Sequence, residues 1–324
     1  MFRIFFDYIA CFDVYLVLFN ISWYLRRVIL IDTHTIQKLD SQQRFIDYAI
    51  GIFLQLTTRN AVKKAIKRGE LMVNGVPATT GIWMSVGNRI DYVDVGNKRP
   101  KAYTLPINII YEDDYLAVVE KPAGIVVSGN QFRTLENALV DQLTISTQAD
   151  ALKWAKPVHR LDAATSGLVI FSKTAGVHTQ LAKLFEHRKI KKSYRAIVVG
   201  EITEDHVLNE TIQDQEAVSE LTFIRSVPSL RNGKVSLVEL FPRTGRTHQL
   251  RIHCSSFGHP IVGDKLYGEE GNTLLHKGLF LVAIKLIFVH PILKTELEIG
   301  IDQPAKFEAL LNREERRWKK YKAT

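Results

Sequence analysis

The residues best suited to chemistry lie in one short stretch, His159 to Lys173, which reads HRLDAATSGLVIFSK. A base, a guanidinium and a carboxyl group, at His159, Arg160 and Asp162, precede a Thr-Ser-Gly turn and an apolar run. Charges beside a buried segment are costly unless they are paired, and such surroundings shift pKa values as catalytic groups require. The same pattern is also typical of a polar turn that leads into a core strand. Asp162 is therefore a candidate catalytic acid.

Two later segments supply further candidates. KKSYRAIVVG contains Tyr194 at the start of a predicted strand, and FPRTGRTHQLRIHCSSFGHPIVGDKLYG contains Arg246, His248 and Arg251. Taken alone, each segment has a structural interpretation, because a tyrosine at a strand start is usually a half-buried packing residue. The potential metal ligands of this region match no zinc spacing, so we predict no metal site among His248, His253, Cys254 and His259.

The elements that must position these residues are strands with a few helices. Because there is no regular βαβ alternation, the sequence favours an α+β class with a mixed, mainly antiparallel sheet and flanking helices. Helices are predicted in TLENALVDQL and VHTQLAKLFEHRKI. A hairpin turn is predicted at Arg231-Asn232-Gly233-Lys234. Strands are predicted at 107–111, 115–119 and 125–128, and antiparallel strands fill 221–253.

A small α/β unit is predicted over residues 37–95. Its first helix, in KLDSQQRFIDYAI, begins at Asp40 or Ser41, and its second, in TTRNAVKKAIKRGE, ends at Gly69. An Asn74-Gly75 hairpin follows. The second helix presents a cationic face that is either a solvated surface or a phosphate-binding surface with salt-dependent affinity. That face is formed by Lys63, Lys64, Lys67 and Arg68.

Residues 1–36 form an apolar N-terminal extension of uncertain status. The run from Phe2 to Leu25 is long enough to span a membrane, but it carries Asp7 and Asp13. A signal peptide is disfavoured, because the basic region is thin and no small-residue cleavage site follows. A membrane anchor, a packed helix, a disordered extension and a start codon assigned too far upstream all remain open.

Composition restricts the class of protein. The 324 residues are 46% hydrophobic and 24% charged, which suits one large or two ordinary domains. Lys and Arg outnumber Asp and Glu by 9, and this excess favours a polyanionic partner. The two cysteines, Cys11 and Cys254, lie too far apart in sequence for a CxxC site. Their scarcity suits a reducing compartment.

Three motifs together, preceded by EDDYLAVVEKPAG, resemble the RluA-type pseudouridine synthases. They are HRLDAATSG, KSYRAIVVG and GRTHQLRIH, and the resemblance runs from about Ile107 to about Pro304. Residues 37–95 resemble the RNA-binding module named after a small-subunit ribosomal protein, with Thr58-Arg59-Asn60 in place of the usual Ser-Arg-Ser. We therefore predict a linker at 96–106, a catalytic domain at 107–310 and a basic tail at 311–324.

The resemblance implies that the chain isomerises uridine to pseudouridine in RNA without a cofactor or a metal. In this family the motif aspartate, here Asp162, is essential and acts on the ribose either as a nucleophile or as a base. Arg251 is the implied partner of Asp162, and Tyr194 is expected to lie against the uracil. Arg160 resembles the arginine that fills the space left by the flipped nucleotide. RNA contacts are also expected from Arg246, His248, Arg59, Lys63, Lys64, Lys67 and Arg68.

The N-terminal module favours ribosomal RNA, in particular large-subunit RNA, over transfer RNA as the partner. We expect a cytoplasmic monomer, and membrane association is disfavoured although residues 1–36 leave it open. Further phosphate contacts are possible at His187–Arg195 and in the tail, which is also compatible with a solvated terminal helix. A noncatalytic RNA-binding or ribosome-assembly protein is the alternative function. A hydrolase would ordinarily require a second carboxylate or a metal.

Overall fold

The computed structural model describes residues 29–96, 100–268 and 277–322. The chain divides into two compact units between Pro100 and Lys101. Residues 1–28, which are most of the predicted N-terminal extension, lie outside the described residues. The alternative interpretations of that extension concern these same residues. Within the described ranges, no helix has both the length and the apolar character needed to cross a membrane.

The described residues of the first unit form a four-stranded sheet and two helices. Its elements are β1 (Ile29–Thr35), α1 (Phe45–Tyr48), α2 (Arg59–Arg68), β2 (Leu71–Val73), β3 (Val76–Pro77) and β4 (Arg89–Asp94). The sheet order is β1-β4-β2-β3, and these pairings are antiparallel. The described part of the unit is therefore α+β, and the predicted α/β label was wrong because the described strands pair antiparallel.

Two predicted boundaries in this unit differ from the structure. The strand β1, placed in the extension by the sequence, pairs with β4 from Ile29 opposite Asp94 to Thr35 opposite Arg89. The first helix has only four residues and begins after Arg44, not at Asp40 or Ser41. Arg44 instead forms an antiparallel bridge with Trp83, so the chain before Phe45 is extended.

Helix α2 forms as the sequence predicts. The Thr58 hydroxyl oxygen accepts a hydrogen bond from the Ala61 N–H at 3.2 Å, and Gly69 ends the helix with a φ of +73°. Val62 and Ala65 are buried in the core of the unit. The opposite face is exposed to solvent, and it carries Lys63, Lys64, Lys67 and Arg68.

The second unit is built on a mainly antiparallel sheet, as predicted. Its described strands are β5 (Asn108–Glu112), β6 (Leu116–Lys121), β7 (Ala151–Pro157), β8 (Ser166–Thr174), β9 (Lys191–Val199), β10 (His206–Leu208), β11 (Ser219–Ser229), β12 (Gly233–Pro242), β13 (Leu281–Val289) and β14 (Glu296–Gly300). The order is β10-β11-β12-β9-β13-β8-β6-β5, with β14 beside β13 and β7 beside β8. The β8–β13 pairing is parallel.

Among the residues that the structure describes, four helices flank this sheet: α3 (Leu135–Ala138), α4 (Ala175–Glu186), α5 (Gln249–Ser256) and α6 (Lys306–Lys322). A 3-10 turn, Leu139–Asp141, extends α3. The strand expected at 125–128 is reduced to one bridge, Val126 to Thr134. The strands expected up to His253 end at Pro242, because Leu250 and Cys254, four residues apart, bury one face of α5 against the sheet.

Helix α6 crosses the predicted boundary between the catalytic domain and the basic tail. Phe307, Leu310 and Leu311 are buried against the sheet, so the tail begins in the middle of a packed helix. Glu314 is also buried and accepts a hydrogen bond from the Ser229 hydroxyl at 2.8 Å. The helix is therefore anchored to β11 and is solvated only along its outer face.

Gly167 allows β8 and β13 to approach each other closely. Its φ is +114°, and a Cβ atom at this position would lie 2.2 Å from the Ala283 carbonyl oxygen. Only glycine fits both the backbone conformation and this contact. The glycine of the Thr-Ser-Gly turn is thus required at the junction of β8 with β13. That junction fixes the point at which the loop carrying Asp162 enters the sheet.

Candidate active site

The three predicted catalytic residues line one cavity of about 280 Å³ in the second unit. Asp162 lies in the loop between β7 and β8, Tyr194 lies on β9, and Arg251 lies on α5. Arg160, Arg246 and His248 line the same cavity. Segments that are almost 90 residues apart in sequence thus come together at one cavity.

Both carboxylate oxygens of Asp162 have a basic neighbour. Arg251 Nη1 lies 3.4 Å from Oδ2, and His248 Nε2 lies 3.7 Å from Oδ1. The Asp162 side chain remains 21% exposed. The carboxylate is therefore flanked on two sides and still accessible from the cavity.

The closer partner of Arg251 is Asp264, a residue that sequence reasoning missed. Arg251 Nε and Nη2 donate to Asp264 Oδ2 and Oδ1 at 2.7 and 2.8 Å, which makes a bidentate pair. Burial alone would lower the pKa of Arg251, but the hydrogen bonds and charge of Asp264, with a smaller contribution from Asp162, raise it. Burial would raise the pKa of Asp264, but Arg251 and two backbone N–H groups lower it. Arg251 is therefore held as a fixed cation.

His248 is oriented by Tyr267, a second residue that the motifs did not single out. The Tyr267 hydroxyl lies 2.9 Å from His248 Nδ1. The His248 backbone has a φ of +56°, an uncommon left-handed conformation for a non-glycine residue. If Tyr267 donates to Nδ1, Nε2 carries the imidazole hydrogen and directs it towards Asp162. The Arg251 guanidinium also lies over the Tyr267 ring, with its Cζ atom 5.2 Å from the centroid of that ring.

Tyr194 forms part of the apolar wall of the cavity and packs against two core clusters. Burial, and then the charge of Asp162, raises the pKa of Tyr194 well above its ordinary value. The phenol therefore stays protonated at neutral pH. Tyr194 offers a flat ring face and a hydroxyl group, and it does not offer a phenolate base.

Lys121 and His159 hold the loop that carries Asp162. The fully buried Lys121 ammonium donates to the carbonyl oxygens of Pro122, Ile125 and Ala163 at 2.9, 2.8 and 3.2 Å. His159 Nε2 accepts the Ile170 N–H at 3.0 Å. Burial, and then the charge of Lys192, lowers the pKa of His159 to about 3, so this imidazole is neutral. His159, the base next to Asp162 in the motif, is thus a hydrogen-bond acceptor with a structural role.

The GRTHQLR loop is held by Gln249, at the start of α5. Its side-chain oxygen accepts hydrogen bonds from the Thr244 hydroxyl at 2.7 Å and the Arg246 N–H at 3.0 Å. Its side-chain nitrogen donates to the Val218 carbonyl oxygen and the Ser219 hydroxyl, each at 2.9 Å. These four bonds fix the start of the helix that presents Arg251.

The predicted RNA-binding residues of the first unit form a surface of their own on α2. Arg59 pairs with Asp47, and Arg68 Nε donates to Glu70 Oε1 at 2.7 Å. Lys63, Lys64 and Lys67 are exposed, and within the described ranges their ammonium groups have no acidic partner. These three lysines are therefore the cations best placed to meet a phosphate.

The histidines near the cavity make structural hydrogen bonds. His253 lies 3.0 Å from the Ser219 hydroxyl and 3.1 Å from the Glu210 carbonyl oxygen, and His259 lies 2.8 Å from the Val199 carbonyl oxygen. In the part of the chain that the structure describes, no three His, Cys, Asp or Glu side chains are arranged to hold a metal ion.

Comparison with known proteins identifies relatives of both the sequence and the fold. The profile of the RNA pseudouridylate synthase family matches residues 115–256. Ribosomal large subunit pseudouridine synthase D of Zymomonas mobilis is 35% identical over 246 residues, which cover 67% of this chain and 77% of that protein. Dual-specificity RNA pseudouridine synthase RluA of Pasteurella multocida is 36% identical over 223 residues, covering 64% of this chain and 98% of the relative.

A solved structure supports the same relationship. Human RNA pseudouridylate synthase domain containing 1 superposes with a TM-score of 0.53 at 25% identity, over 63% of this chain and 86% of that protein. Asp162, Tyr194 and Arg251 lie within the matched residues, 115–256.

Proposed function

Because this chain belongs to the RNA pseudouridylate synthase family and isomerises uridine to pseudouridine in RNA, we propose that Asp162 is its catalytic carboxylate and large-subunit ribosomal RNA its substrate. The observation that carries the assignment is the position of Asp162. Its carboxylate opens into the cavity between Arg251 and His248, with Tyr194 on the wall. The reaction detaches the uracil from the ribose, turns it and rejoins it through carbon 5.

Each side chain has a proposed role that follows from its contacts. Asp162 acts on the ribose, by attack or by proton removal, and Arg251 and His248 hold its two oxygens in place. Tyr194 packs against the uracil and keeps water away. Arg160 is exposed at the cavity and fills the gap left when the uridine leaves its stack. Extruding a base costs a few kcal/mol, which stacking and phosphate contacts offset.

Two observations support ribosomal RNA as the substrate. Pseudouridine synthase D of Vibrio cholerae, whose name refers to the ribosomal large subunit, aligns over 84% of this chain and 91% of its own length. The first unit adds the exposed lysines of α2, which suit phosphate contacts of low sequence selectivity. We place the enzyme in the cytoplasm, where its scarce cysteines stay reduced. We also propose that it acts as a monomer, since Asp162, Tyr194 and Arg251 already meet in one cavity of a single chain.

The decisive experiment compares the parent with Asp162→Asn. Both are incubated, without added cofactor, with transcripts of large-subunit ribosomal RNA and with transfer RNA, and pseudouridine is mapped by sequencing. We expect pseudouridine in the ribosomal transcript with the parent and none with the variant, while the two proteins bind RNA equally. Substantial product from the folded variant would show that another acid is catalytic. Product in transfer RNA alone would contradict the proposed substrate.

A further inference from the structure

A second, wider cavity adjoins the catalytic one. Its volume is about 820 Å³, and the two cavities share a wall that includes Phe185, Lys192 and Arg246. The wider cavity is lined by five cations from the start of β9, the turn before it and the loop after β12. We call it the basic groove and define it by Arg188, Lys191, Lys192, Arg243 and Arg246.

Three of the five cations already interact with the protein. Arg243 donates twice to the Glu220 carboxylate, at 2.8 and 2.9 Å. Arg188 lies 3.5 Å from Glu216, and Arg246 Nε donates to the Glu216 carbonyl oxygen at 3.1 Å. The ammonium groups of Lys191 and Lys192, by contrast, have no acidic partner and no hydrogen bond among the residues that the structure describes.

Lys192 is the more unusual of the two lysines. Its side chain is half-buried at the junction of the two cavities, and burial lowers its pKa. Its Nζ would lie 3.9 Å from a Cβ atom on Gly245, so the ammonium lies beside the loop between Thr244 and Arg246. Withdrawing a charge from water without a partner is costly. A half-buried lysine without an acidic partner indicates that an anion from another molecule binds beside it.

We propose that Lys192 binds the phosphodiester beside the flipped uridine, and that the RNA strand continues from the catalytic cavity along the basic groove. This inference rests on the proposed function. A base that enters the cavity must stay joined to its strand, and Lys192 lines both cavities at their junction. Positively charged grooves track single-stranded backbones in this way, and phosphate contacts set the register of the bound strand.

Binding of a short oligouridylate tests the groove without any isomerisation. The full chain is compared with Lys192→Met, Lys192→Arg and Lys234→Met. Lys234 is the matched control, because it pairs with Glu201 and lies at the opposite end of β12 from Pro242, about 26 Å along the strand.

We expect Lys192→Met to weaken binding about tenfold and to reduce the slope of log K against log salt by about 0.7, the value for one phosphate contact on a single strand. Lys192→Arg should restore most of the affinity, and Lys234→Met should resemble the parent. Equal affinities and salt slopes for Lys192→Met and Lys234→Met would overturn the inference.

Residue-level footprinting provides a second measurement that does not depend on a variant folding. The parent is acylated on its lysines with and without saturating oligouridylate, and each site is quantified by mass spectrometry. We expect protection of Lys192 and none of Lys234, whereas a Lys192 that stays equally reactive would overturn the inference. Neither measurement involves pseudouridine. A parent with a protected Lys192 and no product would refute the proposed function alone, and a productive parent with an unprotected Lys192 would refute the groove alone.

Discussion

Asp162 shares its guanidinium partner with a second carboxylate, and this arrangement determines the effect of removing either charge. In Asp162→Asn, Arg251 keeps its bidentate pair with the fully buried Asp264. We expect the free energy of unfolding to change by less than about 1 kcal/mol, since the lost contact is long and partly exposed. The matched change Asp264→Asn removes the bidentate carboxylate partner of a buried cation and should cost about 3–5 kcal/mol. Denaturant unfolding of both variants measures the difference. Equal losses of unfolding free energy in the two variants would contradict this prediction.

Tyr267 offers a test of how His248 is oriented. In Tyr267→Phe the ring under Arg251 stays and the hydroxyl at His248 Nδ1 is lost. We expect kcat to fall about tenfold, the effect of one lost hydrogen bond of about 1.4 kcal/mol to an active-site group, with KM unchanged. Tyr111→Phe is the control, because it also loses one hydroxyl contact, to Asp113 at 2.7 Å, away from the cavity lining. A rise in KM with normal kcat would instead assign His248 to RNA binding.

Lys121 should make the folding stability of the enzyme depend on pH. Burial lowers the pKa of Lys121 from 10.5 to about 8, with the charge of Asp162 opposing the shift. Between these two values the unfolded chain binds more protons than the folded chain at this site, so its contribution makes stability rise with pH. In Lys121→Met we expect that rise to disappear. We also expect the Gly124 and Thr165 N–H groups, bonded to Ala163 and Asp162, to exchange faster. Thermal unfolding from pH 7.5 to 10.5 provides the measurement, and an unchanged profile would exclude Lys121 as its source.

The site could be predicted from sequence only as far as its motifs reach. Asp162, Tyr194 and Arg251 each lie in a motif, and they line one cavity. No sequence motif marks Asp264 or Tyr267 as a functional residue. Their roles depend on a turn that brings both side chains next to Arg251. Lys121 lies in a recognisable KPAG turn, but its three carbonyl partners belong to loops that only the fold brings together.

Among the elements, the junction of β8 with β13 should be sensitive to substitution at Gly167. Gly167 and Gly124 both have a positive φ, +114° and +97°, but no atom lies within 4 Å of a Cβ built on Gly124. We expect Gly124→Ala to cost about 1–2 kcal/mol from backbone strain alone. Gly167→Ala adds a clash with the Ala283 carbonyl oxygen and should cost at least about 2 kcal/mol more. Denaturant midpoints compare the two, and equal losses would show that the strands can separate without penalty.

Element boundaries were predicted well where local capping decides them and poorly where tertiary pairing does. Gly69 ends α2 in the prediction and in the structure, and Thr58 caps its start in the structure. Helix α5 was assigned to strand, because its arginine and histidine conceal the pairing of Leu250 with Cys254. Strand β1 was missed since its partner, β4, lies some sixty residues away. Its burial pattern is also largely exposed, as suits an edge strand.

For the whole molecule, we expect affinity and chemistry to be separable. Neutralising Lys63, Lys64 and Lys67 with glutamine should weaken RNA binding and reduce the salt slope by up to about 0.9 per lost phosphate contact. Saturating RNA should then restore the parent rate, because these residues lie outside the unit that holds the cavity. The control Arg59→Gln removes a cation already paired with Asp47 and should have a smaller effect. An unchanged salt slope in the triple variant would remove the helix from the binding surface.

The shared arginine also has a practical consequence. Because Asp264 keeps Arg251 in place, the Asp162→Asn protein should retain an intact pocket and still be unable to complete a turnover. A uridine that enters would stay as substrate until it dissociates. The variant would therefore act as a capture reagent: retrieved from cells with its bound RNA and sequenced, it would report the transcripts and positions that the native enzyme visits too briefly to be isolated with it.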